Sequence, residues 1–140
     1  MGDARGTRTM KAVRISVFVA LFGAATTAAG QEGAPTVPSG LDLSLQEVIL
    51  ENLPDGKVQA RYRYLAPGLA DAGYDRVAGD FPALCDQYAL PELTRQGHAV
   101  AQIVLSMSDR PVIFGDSDPE AVQFFEAFSI ADATCVWEAF

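Results

Sequence analysis

The chain has 140 residues, of which 10 are basic and 18 acidic, for a formal net charge of −8 at pH 7. That length supports one domain with a modest core and excludes two. The acidic balance opposes phosphate backbones and anionic lipid headgroups, which argues against nucleic-acid and membrane-surface partners and also serves solubility.

The amino end carries the three parts of an export signal. Arg5, Arg8, Lys11 and Arg14 form a positive region, residues 15–25 are apolar apart from Ser16, and Thr26, Thr27, Ala28, Ala29 and Gly30 are small. Residues 1–30 are therefore expected to be a signal peptide, cleaved after Ala29 or Gly30, with Met10-Lys11 a second conventional start. The expected location is periplasmic or secreted. A membrane span takes about 20 predominantly apolar residues, and this stretch weakens too soon, so no stable membrane insertion is expected after cleavage. The four basic residues and one acidic residue of that segment leave six basic and 17 acidic residues beyond it, a net of −11.

Residues 31–40 have linker composition, and residues 41–140 read as a single domain. Leu41, Leu43 and Leu45 alternate with polar residues before the phase slips to Val48, Ile49 and Leu50, which a bulge near Gln46-Glu47 explains. Pro54-Asp55-Gly56 signals a turn. In the following strand Val58, Ala60, Tyr62 and Tyr64 share one face, while Lys57, Gln59, Arg61 and Arg63 share a basic face expected to be solvated. Residues 69–79 read as a loop or irregular turn.

Asp80 is expected to cap a helix whose face is Phe81, Leu84, Cys85 and Tyr88, with Pro82 in its first turn. Pro91 kinks or restarts that helix, and Gly97 stops it. Residues 99–107 suggest a central strand covered on both faces, residues 109–119 a loop, and residues 123–130 and 134–140 two further strands. The resulting order is ββαβββ, an α+β fold with one helix packed on a largely antiparallel sheet. Cys85 and Cys135 are expected to form its single disulfide, closing a loop worth up to about 4 kcal/mol on the chain-entropy argument. The rival redox or metal pair lacks CxxC spacing.

Two groups of residues are candidates for function. Asp116, Asp118 and Glu120 offer oxygen ligands to Ca²⁺, or a carboxylate pair for acid–base work, in a loop that also holds the candidate binding residues Asp109 and Arg110, against turn-capping and local ion pairing as the ordinary reading. Arg61 and Arg63 are the closely spaced basic pair beyond the signal, suited to recognition, against cross-strand pairing with Glu47 or Glu51. Phe124, Phe125, Phe128, Trp137 and Phe140 read as core, and His98 as a surface residue at a strand edge. No GxSxG, HExxH, Walker or GxGxxG pattern is present.

Several segments occur together in order: Pro38-Ser39-Gly40, Arg61-Tyr62-Arg63-Tyr64-Leu65-Ala66-Pro67, Leu84-Cys85, residues 109–115, Asp118-Pro119-Glu120, Gln123-Phe124-Phe125-Glu126 and Cys135-Val136-Trp137-Glu138. In that combination the chain resembles an uncharacterised family of small exported bacterial proteins, a domain of unknown function, across the whole mature region. The resemblance implies no activity and no catalytic residue. An acetolactate synthase label, attached to some similar chains, is not supported, because Gly79-Asp80-Phe81 and Gly115-Asp116-Ser117 are not the Gly-Asp-Gly motif that thiamine diphosphate chemistry needs. The sequence thus points to a non-catalytic binding or envelope-associated domain, without cofactor or metal, whose partner is an unknown protein or small ligand. The alternative is a small periplasmic enzyme using residues 109–120.

Overall fold

The computed structural model describes Gly2 and residues 33–139. The expected signal segment, Gly2 apart, and Phe140 lie outside the described residues. Among the described residues, no helix is long and apolar enough to cross a membrane.

Five strands form one sheet in chain order: β1 Ser44–Asn52, β2 Val58–Leu65, β3 Gln102–Ser108, β4 Gln123–Ala131 and β5 Thr134–Glu138. All neighbours are antiparallel except β2 and β3, which are parallel. A parallel pair needs a crossover, and here it is helical. It comprises α1 Leu69–Ala72, α2 Tyr74–Val77, α3 Asp80–Leu84, a π-helical turn at Cys85–Ala89, and α4 Leu90–Arg95. The fold is α+β, with a mostly antiparallel sheet, a helical layer and one disulfide between Cys85 and Cys135.

Local sequence explains most of these elements. The register of β1 against β2 shifts between Leu45 and Glu47, the site expected for a bulge. Gly56 takes φ 82° in the turn that follows. Residues 69–79, expected as a loop, instead make two single-turn helices that seat Leu69 and Val77 in the core. Their apolar residues alone could not announce a helix so short, because its stability comes from packing.

Asp80 does not cap its helix. It lies inside the first turn, fully buried, and its carboxylate accepts hydrogen bonds from the Ser39 backbone N–H at 2.8 Å and the Ser39 hydroxyl at 2.5 Å. The segment around Ser39, expected within a linker, therefore rests on the domain, and Val37 joins the core.

The π turn has its cause in Pro91. That residue has no N–H for the carbonyl of Gln87, and its ring crowds the same carbonyl. The ladder widens just before it, with Leu90 N–H reaching back five residues to Cys85 O. Gly97, at φ 78°, stops the helix as expected: His98 N–H bonds Leu93 O at 2.9 Å and Gly97 N–H bonds Thr94 O at 3.1 Å.

The helices pack Phe81, Leu84 and Leu93 on Tyr62, Leu105 and Phe128, all nearly fully buried. Beyond their reach, Leu45, Val48 and Leu50 on β1 remain exposed. No helix covers the opposite face of the sheet among the described residues. The chain between β3 and β4 folds back over part of it, and that return builds the candidate site.

Candidate functional site

The open face carries Arg61 and Arg63 on β2, Ser106 on β3 and Phe125 on β4. Register places Arg63, Ser106 and Phe125 in one row across three strands. Strand alternation turns these side chains away from the helices.

The loop of residues 109–122 is pinned at its base. Asp109 N–H bonds Val122 O at 3.0 Å, and the Asp109 carboxylate accepts from Val122 N–H at 2.9 Å. Arg110 lies against the same carboxylate at 3.3 Å and holds its pKa below the ordinary aspartate value, with the Val122 N–H helping. Farther along, Ile113 O accepts from Asp116 N–H at 2.9 Å, and Gly115 takes φ 89° to complete that turn.

The two arginines divide the work of this site. Arg63 is buried; its guanidinium pairs with Glu47 and donates to Val112 O at 2.6 Å, so it clamps the loop to the sheet. Arg61 is less committed. Its Nε lies 3.5 Å from a Glu51 carboxylate oxygen, a charge contact without hydrogen-bond geometry. That nitrogen is buried and has no hydrogen-bond partner among the described residues. The Phe114 ring covers both guanidiniums, at 5.2 Å from Arg61 and 5.6 Å from Arg63. Such cation–π contacts contribute about 0.5–2 kcal/mol as water is excluded.

Between loop and sheet lies a cavity of about 190 Å³ lined by Arg61, Arg63, Ser106, Phe114, Asp116 and Phe125, among others. Drug-sized ligand sites run to roughly 300–1,000 Å³, so this one suits a small acid or a single side chain. It presents one incompletely satisfied guanidinium, two aromatic rings, a hydroxyl and the Asp116 carboxylate.

The structure thus brings together Arg61, Arg63 and Asp116, which the sequence singled out in separate places. It does not gather the rest of the acidic loop around them. Asp118 accepts from Glu120 N–H at 3.0 Å, a turn-capping role, and Glu120 stands 3.6 Å from Arg110. Among the described residues, no three His, Cys, Asp or Glu side chains are placed to hold a metal ion. The basic face expected to be solvated is partly covered: Gln59 and Arg63 are buried, and the cross-strand pairs with Glu47 and Glu51 form.

Phe114 and Ser106 carry no signal of the site in the sequence, because the loop's return places Phe114 over β2 and the parallel register of β3 places Ser106 beside Arg63. Phe125 and Trp137, expected as core, are 61% and 57% exposed, whereas Phe128 is buried and Phe124 packs partly against the core. Strand parity explains Phe125: its neighbours Phe124 and Glu126 occupy the helix-side face.

A wider hollow of about 550 Å³ lies between α4 and the β4–β5 end, lined by Leu90, Arg95, His98, Val100 and Ile130 among others. Its charged groups are engaged elsewhere. Arg95 pairs with Glu92 at 2.5 Å, and Asp86 accepts from Cys135 N–H at 2.9 Å.

The chain belongs to a family of unknown function, DUF6497, which matches residues 18–140. No curated protein matches the chain, and no solved structure does.

Proposed function

We propose that this member of the family is an exported, non-catalytic binding domain that recognises a small carboxylate-bearing ligand in the cleft beneath residues 109–122. The observation that carries this reading is the buried Nε of Arg61 under the Phe114 ring, which has a charge contact to Glu51 but no hydrogen-bond acceptor among the described residues. A buried donor without an acceptor costs about 1–3 kcal/mol, and a ligand carboxylate would recover that cost through a charge-assisted hydrogen bond. Phe114 and Phe125 would take the ligand's apolar part. Arg63 positions the loop and contributes little directly, since Glu47 and Val112 O already occupy it.

Export is supported by the signal-like amino end and by the Cys85–Cys135 bond, which oxidising compartments sustain. A binding role is favoured over chemistry because Asp109, Asp118 and Glu120 of the loop serve as turn caps and ion-pair partners, which leaves Asp116 as its one acidic group lining the cleft.

The test is an NMR titration that follows the Arg61 Nε–H and the Phe114 amide. N-acetylphenylalanine should shift both signals, and its carboxamide analogue should not. Equal shifts from acid and amide, or none from the acid, would reject carboxylate recognition at this cleft.

A further inference from the structure

Glu126 lies on the other face of β4 and is 92% removed from solvent, being 8% exposed. Its two carboxylate oxygens accept from neutral donors, one from the Tyr74 hydroxyl and the other from the Trp137 indole N–H at 2.6 Å. Among the described residues, no cation stands within ion-pair distance of it. A carboxylate held this deep is normally paired with a positive charge, because two neutral hydrogen bonds replace only part of its hydration.

Beside Glu126 is a cavity of about 220 Å³ lined by Tyr74, Phe81, Pro82, Phe128 and Trp137 among others. Tyr74 and Trp137 stand at its exposed side, and Phe81 and Phe128 form its buried floor. Aromatic faces around a carboxylate attract organic cations twice over, through the ring quadrupoles and through the charge. The chemistry does not suit an anion, which Glu126 would repel. A bare metal ion is also poorly matched, since the pocket supplies one carboxylate and hydrocarbon rings where such ions need several oxygens.

From this arrangement we infer a second ligand site, on the helix side of the sheet, that takes an alkylammonium group. Glu126 neutralises the charge, and the rings of Tyr74 and Trp137 line the space around it. The site is separate from the Arg61 cleft and does not depend on that reading. It would also give the acidic chain a small cationic ligand of the kind its net charge favours.

Trp137 is the sole tryptophan of the chain, so its fluorescence reports directly on this pocket. The full exported protein is titrated with choline, with n-butylammonium, and with 3,3-dimethyl-1-butanol, the neutral isostere of choline. A saturable change in Trp137 emission is expected with at least one ammonium compound, at about tenfold or more lower concentration than with the isostere. A response to choline alone assigns a quaternary ammonium, and a response to n-butylammonium assigns a lysine-like amine. Glu126→Gln should abolish the preference for charge, with a thermal melt to show that the variant is folded. No response to either cation, or an equal response to the neutral isostere, overturns the proposal. That comparison uses the unaltered protein and holds even if the variant fails to fold.

Discussion

Arg61 and Arg63 project from the same strand face, yet their surroundings make them unequal. Arg63 holds a charge-assisted hydrogen bond to a backbone carbonyl in a buried setting, where such bonds are worth about 1.5–3 kcal/mol. Arg63→Ala should therefore lower unfolding stability by about 2 kcal/mol in urea melts. Arg61→Ala removes a donor that already lacks an acceptor, so its stability loss should be smaller. A larger loss at Arg61 would contradict the division between clamp and recognition residue.

Two further features of single residues can be measured. Asp132 and Ala133 turn the β4–β5 hairpin with φ of 49° and 58°, a left-handed pair that favours glycine. Ala133→Gly should raise stability by about 0.5–1 kcal/mol, read as a higher melting temperature. The phenols of Tyr62, Tyr64 and Tyr74 are all held above their ordinary value of 10.0, the first two chiefly by burial and Tyr74 chiefly by its hydrogen bond to Glu126. A raised native pKa means the protonated phenol is favoured by folding. Its contribution is complete below the ordinary value and is lost as pH rises through the raised one. An alkaline titration followed by tyrosinate absorbance should show part of the tyrosine ionising late, together with unfolding. Ordinary titration of every tyrosine in the folded protein would count against these environments.

Among the elements, the hairpin of β1 and β2 and the helix face of Phe81, Leu84 and Cys85 were legible because their signals are local: alternation, a turn triplet and helical spacing. Gly97 was legible for the same reason. Asp80 misled because an acidic residue ahead of a proline has the composition of a cap, while the donors that bind it come from Ser39, 41 residues earlier. The parallel pairing of β2 with β3 was equally hidden, since it depends on where the helical crossover returns the chain. Part of the candidate site was visible as Arg61, Arg63 and Asp116. Phe114 could not be joined to them from spacing alone.

The disulfide acts at this scale by tying the π turn to β5. With a sequence separation of 50 it closes a long loop, and breaking it should cost up to about 4 kcal/mol by the chain-entropy argument. Cys135→Ser should lower the melting temperature markedly, and reductant should do the same to the unaltered protein without affecting the variant. A variant as stable as its parent would show that the helical layer docks without the bond.

At the scale of the whole molecule, one sheet separates two differently built surfaces. The helix side buries the core and leaves Glu126 in an aromatic cavity at its margin. The open side has no helical layer among the described residues, and residues 109–122 close over Arg61 and Arg63. The chain beyond residue 30 carries a net charge of −11. At the cleft Glu47, Glu51 and Asp116 offset the two guanidiniums, so recognition of a carboxylate there rests on the directed Arg61 Nε–H and not on a net positive field.

Calorimetric titration of the unaltered protein and of Arg61→Gln with N-acetylphenylalanine tests the central claim most directly. Saturable binding should weaken at least about tenfold in the variant, the equivalent of one charge-assisted hydrogen bond. Equal affinity in the two proteins, or no binding heat in either, would contradict the account.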